Sequence, residues 1–158
     1  MLAEDFDGDG NLDVLMVGND FGTDVSIGRY DASNGLFLKG DGKGGFTPKS
    51  ILESGWFVPG DAKALVKLRA SNGKCLLVAS QNKDRLKAFE LKKTIQIVPL
   101  QALDVSAIIL YKNGKKQKRE LNYGSSLLSQ SARFINVDSS ISNITIKDSK
   151  GVERSLHF

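Results

Sequence analysis

The chain has 158 residues, of which 41% are apolar and 25% are charged, a balance typical of a folded protein. Its net charge of +4 is small, which argues against a nucleic-acid-binding protein, since such proteins usually carry a dense basic face. No apolar run approaches the roughly 18 residues that a membrane-spanning helix needs, and the start MLAEDFDGDG lacks the basic and apolar segments of a signal peptide.

Short runs rich in β-branched and aromatic residues alternate with turns along the whole chain. Asn-Gly pairs, which favour two-residue hairpin turns, occur at 34–35, 72–73 and 113–114. No window of a dozen residues has helical periodicity. The sequence therefore predicts an all-β fold, with strands in DVLMVG, GLFLKG, GFTPKS, KALVKLRA, CLLVASQ, LKAFELK, TIQIVPL, SAIILYKN, KKQKRELNY, ARFINV and SNITIKDS.

The composition changes near residue 93. Twelve of the 16 glycines lie within the first 60 residues, and residues 1–93 hold thirteen Lys or Arg and thirteen Asp or Glu. Residues 94–158 hold nine basic and five acidic residues, so the whole positive surplus lies there. We therefore predict two structural units, residues 1–92 and about 94–158.

The segment DFDGDGNLD, residues 5–13, places acidic side chains at alternate positions of a tight, glycine-containing loop. Such side chains can converge on one point, and calcium takes six to eight oxygen ligands. An EF-hand would need a glutamate where Met16 stands, so this would be a calcium loop on a β-scaffold; a solvated acidic turn is the alternative. The predicted ligands are the carboxylates of Asp5, Asp7, Asp9 and Asp13 and the main-chain carbonyl of Asn11.

Three stretches resemble known families. The sequence from DFDGDGNLDVLMVGND through GLFLKGDGKGGFTP resembles a β-propeller repeat of the FG-GAP or VCBS type. GDAKALVKLRASNGKCLLVASQNKDRLKAFEL resembles a second blade whose acidic loop is replaced by the Asn72-Gly73 turn, so no metal is expected there. The remainder, above all YGSSLLSQSARF at 123–134, is similar to the ASPIC/UnbV module. The resemblance implies two propeller-type antiparallel blades followed by a small, sandwich-like C-terminal β-module.

The first blade is expected to be incomplete, because only MLAE precedes the acidic loop where a first strand should be. Propellers close with about four to eight blades, so two cannot form a ring. We therefore expect a C-terminal fragment of a larger protein, or a shortened relative. Its unpaired blade edges would favour a homo-oligomer, unless the sheets fold into a compact sandwich.

The resemblance and the acidic loop together favour a non-catalytic scaffold or recognition module of an extracytoplasmic surface protein, in the periplasm or at the cell surface. Calcium would be structural, and the protein or glycan ligand is not specified. The alternative is an accessory part of a glycan-processing enzyme whose active site lies outside this chain. No catalytic residues are predicted, since the single histidine, His157, is next to last in the sequence.

Three further features have competing interpretations. The basic hairpin KNGKKQKR, residues 112–119, could contact phosphate, but we expect a solvated hairpin and no nucleic-acid partner. Trp56 and Phe57 could contact a ligand, but packing beneath the second blade is the expectation. Cys75 lies in an apolar run and is predicted to be a small buried hydrophobic residue.

Overall fold

The computed structural model describes residues 1–91, 95–124, 126 and 128–158. This part of the chain contains thirteen strands and one short helix, α1 (Ile51–Ser54). The strands are β1 (Leu2–Glu4), β2 (Asp13–Met16), β3 (Leu36–Gly40), β4 (Phe46–Lys49), β5 (Ala62–Arg69), β6 (Cys75–Gln81), β7 (Lys87–Glu90), β8 (Gln96–Pro99), β9 (Asp104–Tyr111), β10 (Lys116–Glu120), β11 (Phe134–Val137), β12 (Ile141–Asp148) and β13 (Glu153–His157).

The described strands pair into four antiparallel sheets, which confirms the predicted all-β class. The first sheet has the order β1-β2-β3-β4, and the second has the order β5-β6-β7. In the C-terminal part, β8 pairs with β11, and a four-stranded sheet has the order β10-β9-β12-β13. Each of the eleven predicted runs overlaps one of these strands, and the arrangement is consistent with a sandwich-like β fold.

A strand does precede the acidic loop, contrary to our expectation. Leu2–Glu4 forms β1, which pairs with β2 so that Leu2 lies opposite Leu15 and Glu4 lies opposite Asp13. Leu2 and Glu4 are buried while Ala3, between them, is exposed, as strand alternation requires. The first sheet thus has four strands, and the acidic loop connects the first two.

The described chain has two clusters of buried apolar side chains. One draws its buried members from residues 2–79 and lies between the first two sheets, with Leu65 and Ala79 fully buried. The other draws its members from residues 98–146, with Ile109, Ile144 and Ile146 fully buried. The predicted boundary between residues 92 and 94 falls on 92–94, which lie outside the described residues, so the division into two units stays a prediction.

Segment 129–132 lies along the outer edge of β5. The Leu65 N–H donates to Ser129 Oγ (3.2 Å), and the Lys67 N–H donates to Ser131 Oγ (3.1 Å). The Ala132 N–H in turn donates to the Lys67 carbonyl (2.9 Å). This segment belongs to the YGSSLLSQSARF motif, of which 125 and 127 lie outside the described residues. Its hydroxyl groups satisfy edge amides that would otherwise be open to pairing with another chain.

Glu4 forms a buried ion-pair triad that joins three sheets. Its carboxylate lies 3.1 Å from Lys67 Nζ on β5 and 3.0 Å from Arg119 Nη1 on β10. Burial acts to raise the pKa of Glu4, but the two adjacent cations outweigh burial and hold the pKa below its ordinary value. The triad therefore connects the N-terminal strand to both the second sheet and the C-terminal part of the chain.

Within the part of the chain that the structure describes, no helix has the length and apolar character to cross a membrane.

Candidate metal-binding loop

The acidic loop, residues 5–12, is folded around the Asp5 carboxylate. The Gly8 N–H donates to Asp5 Oδ1 (2.6 Å), and the Gly10 N–H donates to Asp5 Oδ2 (2.9 Å). Both glycines have positive φ, 89° and 80°, a region that other residues rarely adopt. The D-x-D-G-D-G pattern therefore specifies a tight loop whose amides point at its own first carboxylate.

Asp13 closes the loop from inside the protein. Its side chain has no exposed surface, and its two oxygens accept the Phe6 N–H (3.0 Å) and the Gly40 N–H (3.0 Å). Burial raises the pKa of Asp13, and the negative charge of Asp7 raises it further. Gly40 allows this approach because a Cβ there would lie 2.0 Å from the Leu12 carbonyl oxygen. Asp13 thus ties the acidic loop to the end of β3.

Three of the four predicted carboxylates converge. Ligand oxygens of Asp5, Asp7 and Asp13 all lie within 4.8 Å of one another. Asp9 is not among this group; its carboxylate accepts the Asn11 N–H (2.8 Å) and lies 3.0 Å from Lys39 Nζ. The main-chain carbonyl of Asn11 stays a predicted ligand, since no described contact bears on it.

Two lysines from distant parts of the chain lie against the acidic loop. The Lys39 ammonium on β3 contacts both Asp7 and Asp9, and these hydrogen bonds raise the pKa of Lys39 above its ordinary value. Lys115, in the β9–β10 turn, donates to the Gly10 carbonyl (2.7 Å) and contacts Asn11 Oδ1. The protein therefore supplies positive charge to this loop, which the sequence did not predict.

The donor chemistry of the converging group fits a hard cation. Asp5, Asp7 and Asp13 offer only carboxylate oxygens, the ligands that calcium and magnesium prefer, and calcium accepts irregular sets of six to eight oxygens. Besides burial, the negative charge of Asp7 raises the pKa of Asp13, and a divalent ion among the three carboxylates would offset that repulsion. Thiolate and imidazole ligands, which zinc and copper favour, are absent from residues 5–13. The three carboxylates suit a hard divalent cation such as calcium or magnesium.

The other residues singled out from the sequence have structural positions. Trp56 is buried, with Nε1 donating to the Met16 carbonyl (3.1 Å), which confirms the packing expectation, whereas Phe57 is 47% exposed. Cys75 is buried, as predicted. His157 is the last residue of β13 and pairs with Asn143 of β12.

The basic hairpin is partly occupied by contacts within the chain. Besides Lys115 at the acidic loop and Arg119 at Glu4, Lys118 Nζ lies 2.7 Å from Glu120 on the same strand. Five of the eight hairpin residues are exposed, as expected of a solvated hairpin, while Lys115 and Arg119 are half-buried in these contacts. That the hairpin binds no nucleic acid stays a prediction.

Comparisons of the chain with protein-family models, with curated proteins and with solved structures find no match. The resemblance to FG-GAP or VCBS repeats and to the ASPIC/UnbV module therefore depends on the quoted sequence motifs alone.

Proposed function

We propose that residues 5–13 bind calcium as a structural ion. The observation that carries this proposal is the convergence of Asp5, Asp7 and Asp13, whose ligand oxygens lie within 4.8 Å of one another in a loop with two positive-φ glycines. Three carboxylates so close repel one another, and a divalent cation offsets that repulsion. The ion would cross-link the loop to the buried base of β2 through Asp13.

The wider role that we propose is that of a non-catalytic scaffold or recognition module of an extracytoplasmic surface protein. Support comes from the motif resemblance in the sequence and from the chemistry of the loop, since weak calcium sites of extracellular modules suit compartments where calcium is abundant. In this role, calcium stiffens the first sheet, and the surface around the calcium loop contacts a partner.

The test is calorimetric titration with calcium, together with melting curves in calcium and in chelator. A site with Kd on the order of 0.1–1 mM gives about 1.4–2.7 kcal/mol of stabilisation at about 10 mM calcium. For a chain of this length, the melting temperature should rise by about 3–10 °C.

Asp7→Asn is the informative variant, because Asp7 belongs to the converging group and its side chain is partly exposed. This variant should lose both the heat of calcium binding and the calcium-dependent rise in melting temperature. Asp84→Asn, which changes an exposed aspartate in the β6–β7 turn, is the matched control and should keep both. An absence of heat and identical melting curves for the unmodified protein would contradict the proposal.

A further inference from the structure

A cavity of about 810 Å³ lies between the first and second sheets. Its walls carry two aromatic pairs: Phe6 with Phe37, edge to face at 6.3 Å between ring centroids, and Trp56 with Phe89 at 4.6 Å. We call this cavity the aromatic groove. Its volume lies within the range of ordinary ligand sites, and its walls are mainly apolar and aromatic, as in such sites.

All the charged side chains that line the aromatic groove, among the described residues, are carboxylates. They come from separate elements: the acidic loop, α1, β7 and the β11–β12 turn, and they are Asp7, Glu53, Glu90 and Asp138. Lysine, arginine and histidine are absent from the described lining, although the whole chain carries a net charge of +4. The described lining therefore offers carboxylates and no cation of its own, which favours a basic ligand over an acidic one.

Glu53 is held ionised at the rim. It forms a capping box with Ser50 at the start of α1, and the hydrogen bonds from Ser50 lower the pKa of Glu53 to about 2. Lysines pair with three of the carboxylates: Lys39 with Asp7, Lys49 with Glu53 and Lys74 with Glu90. These pairs are partly exposed, and such pairs are weak enough for an incoming cation to replace them.

An exposed apolar side chain completes the rim. Leu52, on α1, lines the groove and is 98% exposed, so it has almost no packing within the chain. The capping box and the left-handed Gly55 at the end of α1 hold the short helix, and with it Leu52, in place. A leucine held in solvent beside aromatic rings offers apolar contact to a partner.

We propose that the aromatic groove binds a segment of a partner protein that carries lysine or arginine beside an apolar side chain. The carboxylates pair with the cation, and Leu52 with the partly buried rings of Phe6, Phe37 and Phe89 contacts the apolar neighbour. This inference rests on the proposed recognition role and names the chemistry of the partner; it does not depend on calcium in the acidic loop.

Trp56 provides the readout, because it is the single tryptophan of the chain and lines the groove. The full chain is titrated with the peptide acetyl-Lys-Leu-Lys-Leu-amide while Trp56 fluorescence is followed. The acidic peptide acetyl-Glu-Leu-Glu-Leu-amide and the neutral sugar maltohexaose are titrated in parallel. The cationic peptide should give a saturable change, and the other two should give none. Equal binding of the acidic peptide, or saturation by the sugar alone, would overturn the proposal.

Surface variants locate the site without disturbing the core. The double variant Glu53→Gln with Glu90→Gln should bind the cationic peptide about fivefold to thirtyfold more weakly. Glutamine keeps the capping box at position 53 but removes the charge at both positions. Leu52→Ser should also weaken binding of the cationic peptide. Glu153→Gln and Leu86→Ser, exposed positions outside the groove, should bind as the unmodified protein does. Weaker peptide binding by these control variants, or undiminished binding by the groove variants, would contradict the assignment.

The same titration in calcium and in chelator separates this proposal from the calcium proposal. Peptide binding in both conditions supports the groove whatever the calorimetry finds for the loop. A calcium-dependent melting shift without any peptide binding leaves the calcium site standing and overturns the groove.

Discussion

Glu4 and Asp7 lie three residues apart, yet their carboxylates have opposite surroundings. Glu4 is 4% exposed and contacts Lys67 and Arg119 from two other sheets. Asp7 lies at the surface and contacts Lys39 of its own sheet. The first carboxylate joins distant parts of the fold, and the second forms a local contact.

The difference determines what each charge can do. A buried ion pair is costly to break, because removing one partner leaves the other charge buried and uncompensated. An exposed pair contributes little and exchanges with other ions. Glu4 therefore serves the fold, whereas the exposed ion pair of Asp7 can be replaced by a metal.

Removing the charge of Glu4 should have the largest effect. Glu4→Gln keeps the shape but leaves Lys67 and Arg119 without their common partner, so the free energy of unfolding should fall by about 3–5 kcal/mol. Urea denaturation measures the change. The double variant Glu4→Gln with Lys67→Met removes an uncompensated cation and should recover part of the loss. A loss below about 1 kcal/mol for the single variant would show that the triad does not hold the sheets together.

Asp13 should have the next largest effect. Asp13→Ala leaves the Phe6 and Gly40 amides without an acceptor and should cost about 3 kcal/mol, while Asp13→Asn, which keeps one acceptor oxygen, should cost about half as much. Urea denaturation in chelator measures both variants without any contribution from metal. If the two variants were equally stable, the hydrogen bond to the oxygen that asparagine keeps would contribute nothing.

Acid should act on the two carboxylates in opposite directions. The pKa of Glu4 is lowered in the folded protein, so its stabilisation is complete above the ordinary value of 4.5 and is lost as the pH falls through the folded pKa. The pKa of Asp13 is raised, so protonation there favours the folded state. Between about pH 6 and about pH 3.5, Glu4→Gln should lose less stability than the unmodified protein, and Asp13→Asn should lose more. Identical pH profiles would contradict both assignments.

Lys39→Gln should have the smallest effect on stability, less than about 1 kcal/mol in chelator, because its ion pairs with Asp7 and Asp9 are exposed. Its effect on calcium affinity should be easier to detect than its effect on stability. The Lys39 ammonium contacts the same carboxylate that calcium needs, so the variant should bind calcium about twofold to fivefold more tightly in calorimetric titration. Weaker binding would mean that Lys39 supports the metal geometry rather than competing with it.

The strands were predictable where apolar and β-branched residues alternate over several positions, as in AIILY of β9 and NITIKD of β12. The three residues of β1 are too few for a period, and their pairing with β2, in which Leu2 lies opposite Leu15, comes from the tertiary fold. The helix α1 is too short to have a helical period, but its Ser50–Glu53 capping box is visible in the sequence and could have indicated it.

The acidic loop was predictable in part because its contacts are local. Spacing predicted that four aspartates would converge, and three do, since Asp5 and Asp7 share a glycine-bent loop with Asp13. Asp9 lies outside the group: its carboxylate accepts the Asn11 N–H and contacts Lys39. Lys39 and Lys115 come from chain positions 32 and 104 residues away from their loop partners Asp7 and Asn11, so only the tertiary fold brings them to the loop.

The Glu4 triad also constrains the order of events during synthesis. Glu4 is synthesised 115 positions before its partner Arg119. At about 5–20 residues per second, the carboxylate waits several seconds or more for that guanidinium. The strand β1 is therefore synthesised well before β10, which supplies the last cation of its triad.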